Sequence, residues 1–104
     1  MAGEESVYVA KPRPRKGALR LRLYVAGNAP NSVLAIDNAK AICAKYFGAR
    51  HDLEIVDLLS SPLLGLADGI IVTPTLIRLA PKPIRRVIGN LGDTTQVLVA
   101  LADE

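Results

Sequence analysis

One cysteine and one histidine limit the chemistry that this chain of 104 residues can perform. Cys43 has no second cysteine with which to form a disulfide, a C-x-x-C redox pair or a multi-cysteine zinc site. His51 is followed by Asp52 and Glu54, but in "HDLEIVD" the acids alternate with apolar residues and are expected to face water. We therefore predict no intrachain disulfide and no metal site, and we expect no cofactor.

The next candidates are four cations between residues 72 and 89: Arg78, Lys82, Arg85 and Arg86. No acid interrupts them, and we expect strand alternation to place Arg78 and Arg86 within reach of one exposed region. A cationic patch steers association with a partner and fixes its register. We predict that these residues bind a partner protein. The alternative is an edge strand whose arginines prevent aggregation.

Asn28 and Tyr24 are further candidates for partner binding, at the end of the first strand-like run and in the turn that follows it. The alternative for Asn28 is a purely local role, because asparagine is favoured in turns and caps. The alternative for Tyr24 is packing on the second face of its strand.

The net charge of +3 is unevenly distributed, because residues 1–17 hold four of the 13 cations and two of the 10 acids. We interpret residues 1–17 as a flexible basic leader and residues 18–104 as a single domain. Since the basic character lies mainly in the leader, we predict no nucleic-acid-binding surface. No apolar run approaches the roughly 20 residues that span a bilayer, and the N-terminus shows no secretory signal, so we expect no membrane association and a cytoplasmic location.

Four strands are predicted as the elements that must position these residues. "LRLRLYVA" and "DLEIVDLL" alternate with a period of two, with Leu53 and Ile55 on the apolar side of the second run. Two further strands are predicted at Leu76–Leu79 and Ile84–Ile88, joined by a Pro-Lys-Pro corner.

Three helices are predicted between and after these strands. In the first, Ile36, Ala39, Cys43 and Tyr46 recur at spacings of three and four, which predicts one apolar stripe with Cys43 as a buried core thiol. The expected helix starts are Asn31 or Ser32 as a cap, a serine cap before Pro62, and Asp93 as a cap. The last segment, "QVLVALA", is apolar enough to form either a helix or a strand.

The predicted order is β-α-β-α-β-β-α, the α/β order of a thioredoxin-like fold. In that superfamily the strand after the second helix begins with a cis-proline, and "TPTL" stands at this place. A redox enzyme of the superfamily would need thiols in the turn that reads "GNAPNS", and this turn has no cysteine. Only a thiolate exchanges with disulfides, so we predict no redox chemistry.

Three segments resemble the KaiB family of circadian-clock proteins: "LRLYVAGNAPNS" (21–32), "EIVDLLSSP" (54–62) and "TPTLIRLAPKPIRRVIGNL" (73–91). The resemblance implies a non-enzymatic regulator, with no catalytic residue, that binds the N-terminal ATPase ring of the hexameric ATPase KaiC and modulates its phosphorylation cycle. It also implies KaiA and a histidine kinase as further clock partners.

The resemblance further implies a metamorphic protein. A ground state, tetrameric or dimeric, with the order β-α-β-β-α-α-β would exchange with a monomeric thioredoxin-like state that binds the ring. Pro74, Pro81 and Pro83 all fall in the second half of the domain, where the two folds would differ. We predict these prolines, together with Ala100, as pivots of the exchange, since X–Pro isomerisation is slow.

Some residues depart from the cyanobacterial pattern of this family. Ala100 and Ala102 stand where cyanobacterial members tend to have Gly and Asp. The sequence ends at Glu104, whereas cyanobacterial members usually continue into a longer acidic tail. We therefore expect a member from outside the cyanobacterial clock, which argues against KaiA as a partner. Because Ala favours helix over Gly by about 1 kcal/mol, we also expect the thioredoxin-like state to be favoured more than usual.

Two other classes of protein stay open on the sequence. One is a thioredoxin-like interaction or sensor module that acts in trans on a signalling kinase, for example in a stress response. The other is a single-cysteine glutathione-dependent enzyme, against which the mid-helix position of Cys43 argues.

Overall fold

The computed structural model describes residues 18–102, so the predicted leader at residues 1–17 lies outside the described residues. Seven elements follow in the predicted order, with these bounds: β1 Leu19–Val25, α1 Pro30–Tyr46, β2 His51–Asp57, α2 Pro62–Ala67, β3 Thr75–Ala80, β4 Arg85–Ile88 and α3 Thr94–Leu101. The strand or helix ambiguity of "QVLVALA" is resolved as helix. No helix between residues 18 and 102 is long and apolar enough to cross a membrane.

The four strands form one sheet in the order β2-β1-β3-β4. β1 and β2 are parallel, as a β-α-β unit requires, whereas β3 runs antiparallel to both β1 and β4. This mixed sheet, with α1 and α3 on one face and α2 on the other, confirms the thioredoxin-like α/β fold.

The two faces of the sheet are covered unequally. On the face of α1 and α3, buried apolar side chains such as Leu21, Leu23 and Val97 form a large core. On the face of α2, the cluster of buried side chains among residues 18–102 is smaller and consists of Tyr24, Val56 and Ile77. The helix on this second face has only six residues, so it covers the sheet less completely than α1 and α3 cover the other face.

Cys43 lies on the core side of α1 and is 1% exposed. Burial raises the pKa of its thiol to about 11, because a charged thiolate is poorly solvated there. The prediction of an unreactive core thiol is therefore confirmed for its position. Tyr46, predicted on the same stripe, is instead 46% exposed at the end of the helix.

The start of α1 differs from the prediction. The helix begins at Pro30 after Ala29, and neither Asn31 nor Ser32 caps it. Proline suits the first helical position because the amide hydrogen that it lacks would have no partner there. The Ser32 hydroxyl is buried and instead accepts a hydrogen bond from the Ala26 amide at 3.0 Å.

The other helix boundaries agree better with the sequence. Ser61 and Pro62 open α2 as expected, although the Ser61 side chain makes no capping hydrogen bond. The Asp93 carboxylate accepts a hydrogen bond from the Gln96 amide at 3.1 Å, so the predicted cap of α3 is confirmed. In β2, the predicted apolar side is only partly right, because Ile55 is 36% exposed whereas Val56 on the opposite face is buried.

Candidate docking surface

Arg78 is not at the surface, although it was predicted to lie in an exposed region. Its side chain is fully buried, and its guanidinium donates to the carbonyl oxygens of Leu101, Ala102 and Pro83 at 3.2, 2.9 and 2.7 Å. Carbonyl oxygens at a helix C-terminus lack partners within the helix and carry partial negative charge. The Arg78 side chain therefore caps the C-terminal end of α3. The prediction that Arg78 is exposed is wrong.

Arg78 and Arg86 also lie on opposite faces of the sheet. Across the β3–β4 hairpin, Arg78 pairs with Arg85 and Ile77 pairs with Arg86. Directly opposed residues point to the same face, so Arg86 shares the face of Ile77 and α2. The expectation of one exposed region containing both Arg78 and Arg86 is wrong, because the register of the hairpin places Arg78 opposite Arg85 and Arg86 on the other face.

Of the other predicted cations, Arg86 alone is bonded to the segment around α2. Lys82 is exposed in the corner between β3 and β4, and Arg85 is half-buried on the α3 side of the sheet. Arg86 is exposed, and its guanidinium donates to the carbonyl oxygens of Asp68 at 2.5 Å and Gly69 at 3.5 Å. The four cations therefore do not form one patch.

Tyr24 is fully buried, so the alternative of packing on the second face of its strand is the one that the structure supports. Asn28 is exposed in the turn between β1 and α1, as a partner-binding residue would need to be. Gly27, just before it, has φ +55° and lies against Leu59, whose Cδ1 would be 2.9 Å from a Cβ at Gly27. Asn28 is thus close to the segment that leads into α2.

Large apolar side chains are exposed along α2 and the segments on either side of it. Leu63 and Leu66 are 76% and 75% exposed, and their i, i+3 spacing places them on one side of the helix. Leu59 before the helix and Ile71 and Val72 after it are 74%, 93% and 45% exposed. We call these five residues the apolar ridge. A concentration of large exposed apolar side chains in one part of a protein is typical of interaction sites.

Arg86 and the apolar ridge meet at a groove of about 230 Å³. Ile71 and Val72 line one side of the groove, and Arg86 and Ile88 of the edge strand β4 line the other. The arrangement offers an apolar contact next to a fixed positive charge.

A polar clasp, formed by Arg22, Tyr24, Asp68 and Arg86, holds α2 on the sheet. The Asp68 carboxylate, just after α2, accepts hydrogen bonds at Oδ2 from Tyr24 at 2.5 Å and from Arg22 at 3.0 Å. Arg22 also donates to Glu54 of β2 at 2.9 Å. The helix itself makes a close backbone approach at Gly65, where a Cβ would be 2.5 Å from Leu58 Cδ2.

The clasp favours the charged form of Asp68. The hydrogen bond from Tyr24 lowers the pKa of this carboxyl, and the hydrogen bond and charge of Arg22 lower it further, whereas burial opposes both. For Tyr24, burial is the main cause of a raised pKa, and its hydrogen bond to Asp68 acts in the same direction. Around neutral pH the clasp therefore joins a carboxylate, a neutral phenol and guanidinium groups.

The predicted pivots lie along β3, its corner and α3. Pro74 is buried before β3, and the Thr73–Pro74 peptide bond is cis, as "TPTL" led us to expect. The bonds before Pro81 and Pro83 are also cis. Ala100 is half-buried in α3 and packs against the main core. The role of these residues in an exchange of folds stays a prediction.

Between residues 18 and 102 there is no group of three or more His, Cys, Asp and Glu side chains that could hold a metal ion. The turn from Ala26 to Ala29 contains no cysteine.

Sequence reasoning missed the apolar ridge and Asp68. The sequence did contain a sign of the apolar ridge, because "SSPLLGLA" has three leucines and one alanine within one short helical segment and no charged residue. A single turn and a half of helix cannot bury leucines on all its sides against one sheet. Asp68 gave no such signal, since its partners Arg22 and Tyr24 lie more than 40 residues away in the chain.

Comparison with known proteins relates the chain to one family. The family model described as "KaiB domain" matches residues 22–102. The chain is 46% identical over 88 residues to the circadian clock oscillator protein KaiB of Synechococcus elongatus, covering 85% of each chain. It is 43% identical over 88 residues to the protein of the same name from Trichodesmium erythraeum, again covering 85% of each chain.

Solved structures support the fold. The N-terminal domain of Synechococcus elongatus SasA superposes with a TM-score of 0.68 at 24% identity, covering 89% of this chain and 91% of that domain. A chloroplastic thioredoxin z superposes with a TM-score of 0.67 at 18% identity, covering 95% of this chain and 86% of that one.

Proposed function

Because the chain belongs to the KaiB family, we propose that it is a non-enzymatic clock or timing regulator that binds the N-terminal ATPase ring of a KaiC-type ATPase. In binding, it modulates the phosphorylation cycle of that ATPase. The relatives that carry the name of circadian clock oscillator proteins cover most of this chain, which supports the same class of role here.

The observation that carries the proposal is the apolar ridge with Arg86 beside it. Leu63, Leu66 and Ile71 are each at least three-quarters exposed, on a face that a six-residue helix covers only in part. Burial of such side chains at an interface contributes most of the binding energy, and a neighbouring cation steers and orients the partner. A regulator that binds a protein ring needs a surface of this kind and no catalytic group.

We propose that the thioredoxin-like monomer is the state that binds the ring. It would exchange with a homo-oligomer of the alternative fold that does not bind. Size-exclusion chromatography of the chain alone and with a KaiC-type ATPase measures the oligomeric state of each form, and circular dichroism of the separated forms compares their secondary structure. KaiA and a histidine kinase stay predictions from the family resemblance, and Asn28 a candidate contact at the Leu59 end of the ridge.

The test of the docking surface uses two matched substitutions. Leu66→Glu places a charge in the apolar ridge, whereas Val99→Glu places one at an exposed apolar position of α3 on the opposite side of the sheet. Binding to a KaiC-type ATPase in the presence of ATP or ADP is measured by pull-down and by biolayer interferometry. We expect Leu66→Glu to weaken binding by at least about tenfold and Val99→Glu to leave it unchanged. Equal binding of both variants would refute the surface.

A further inference from the structure

The helix α2 is attached to the protein in an unusual way. An ordinary surface helix buries its apolar side, but α2 turns Leu63 and Leu66 toward solvent. The residue of α2 that is buried is Gly65, which has no side chain to contribute. Contacts of its leucines with the core therefore do not fix the position of the helix.

Asp68 supplies fixed contacts from two directions. Its carboxylate accepts from Arg22 and Tyr24 of β1, at 3.0 and 2.5 Å. Its backbone carbonyl accepts from Arg86 of β4 at 2.5 Å. The Tyr24 hydroxyl also lies 3.1 Å from the carbonyl oxygen of Leu64, one turn earlier in α2. A single residue thus ties the end of the helix to β1 and β4, on either side of β3.

These bonds involve charged groups in a partly buried place. The Asp68 side chain is 25% exposed and that of Arg22 is 20% exposed. Hydrogen bonds between ionised groups are stronger than neutral ones, and water screens them less when they are half-buried. Arg22 is itself held by Glu54, so its guanidinium is already oriented when it meets Asp68.

We propose that Asp68 is a positioning residue for partner binding: the polar clasp sets the orientation of α2 and so presents the apolar ridge. The inference rests on the proposed function for its binding readout, but its structural part can be measured on the chain alone. Asp68 itself is not a contact with the partner. Loss of its carboxylate deletes no side chain of the apolar ridge, but it removes the hydrogen bonds from Arg22 and Tyr24 that orient α2.

The structural arm of the test is hydrogen exchange of the full chain. Asp68→Asn removes the charge at constant size, and Asp93→Asn is the matched control, because Asp93 holds the start of α3 and not α2. We expect Asp68→Asn to speed amide exchange in residues 62–72 by roughly 10- to 100-fold and to leave residues 94–101 unchanged. Asp93→Asn is expected to leave both segments unchanged, because asparagine caps a helix about as well as aspartate does. Unchanged exchange in residues 62–72, or equal acceleration throughout the chain, would overturn the proposal.

Tyr24→Phe is the second variant, in case Asp68→Asn does not fold. It removes only the hydroxyl that donates to Asp68, and the ring stays in the buried cluster with Val56 and Ile77. We expect a smaller acceleration confined to the same residues. The effect of the double variant is then expected to be less than the sum of the two single effects, because both substitutions weaken the bond between Tyr24 and Asp68. Full additivity would contradict a shared clasp.

The binding arm uses a KaiC-type ATPase and the same variants. We expect Asp68→Asn to lower affinity roughly tenfold or more, mainly through slower association, since the ridge must be ordered before it docks. Unaltered affinity together with faster exchange would overturn the role of Asp68 in presentation. If the unsubstituted chain fails to bind, the proposed function is refuted, and the exchange pattern alone then decides whether Asp68 positions α2.

Discussion

Replacement of Arg78 by methionine tests whether the buried guanidinium stabilises the last helix. The substitution keeps a long unbranched side chain in place but removes donors to three carbonyl oxygens, those of Leu101, Ala102 and Pro83. Each hydrogen bond from a charged donor contributes about 1.5–3 kcal/mol, and an acceptor left without a partner adds a cost of its own. Methionine avoids the cost of burying a charge, which offsets part of this loss.

The balance predicts a loss of about 2–4 kcal/mol in the free energy of unfolding. The measurement is urea denaturation followed by circular dichroism, with Arg85→Met as the control. Arg85 pairs with Arg78 across the hairpin but is only half-buried, so its replacement is expected to cost less than about 1 kcal/mol. Hydrogen exchange is expected to localise the loss to residues 94–101.

A stability of Arg78→Met equal to that of the unsubstituted chain would refute this reasoning, because burial of the cation would then cost as much as its three bonds contribute. Arg78→Lys separates charge from geometry. An ammonium group cannot reproduce the planar fork that reaches both the end of α3 and the corner, so we expect an intermediate loss.

Three further predictions concern single side chains. Because burial raises the pKa of Cys43 to about 11, its thiol is expected to react with Ellman's reagent at about pH 8 only after unfolding in urea, and rapid labelling of the native chain would contradict its burial. The pKa of Asp68 is lowered in the folded chain, so its stabilising contribution is present above its unfolded pKa of about 3.9 and is lost as the pH falls through the lower folded value. Acid titrations of stability are therefore expected to be shallower below about pH 4 for Asp68→Asn than for the unsubstituted chain, and identical acid limbs would count against the clasp. Asp93→Ala removes the cap of α3 and is expected to cost about 1 kcal/mol in urea denaturation, whereas no loss would show that the bond to Gln96 contributes nothing.

The sequence predicted the order of elements because local patterns determine it. Alternation in β1, the helical stripe around Cys43 and the cap at Asp93 each depend on residues close together in the chain. The missing cysteine in "GNAPNS" likewise needed no structure to exclude thiol exchange in that turn.

The candidate surface was less predictable, because it depends on register and on long-range contacts. Arg78 and Arg86 were expected together, but the pairing of Arg78 with Arg85 separates them. Whether a strand residue is exposed depends on which helix covers it, and the end of α3 covers Arg78. Asp68 receives its role from β1, far away in sequence, so no local pattern could assign it.

The bonds of Arg78 also connect two parts of the structure that are distant along the chain. The guanidinium joins the end of α3 to Pro83, so we expect the helix and the corner between β3 and β4 to move together. A fluorescent or spin label on exposed Val99 would therefore report movement of that corner, whereas a label beside Leu59 would report α2. Two labels of this kind would show whether the two ends of the chain's second half shift together or one after the other.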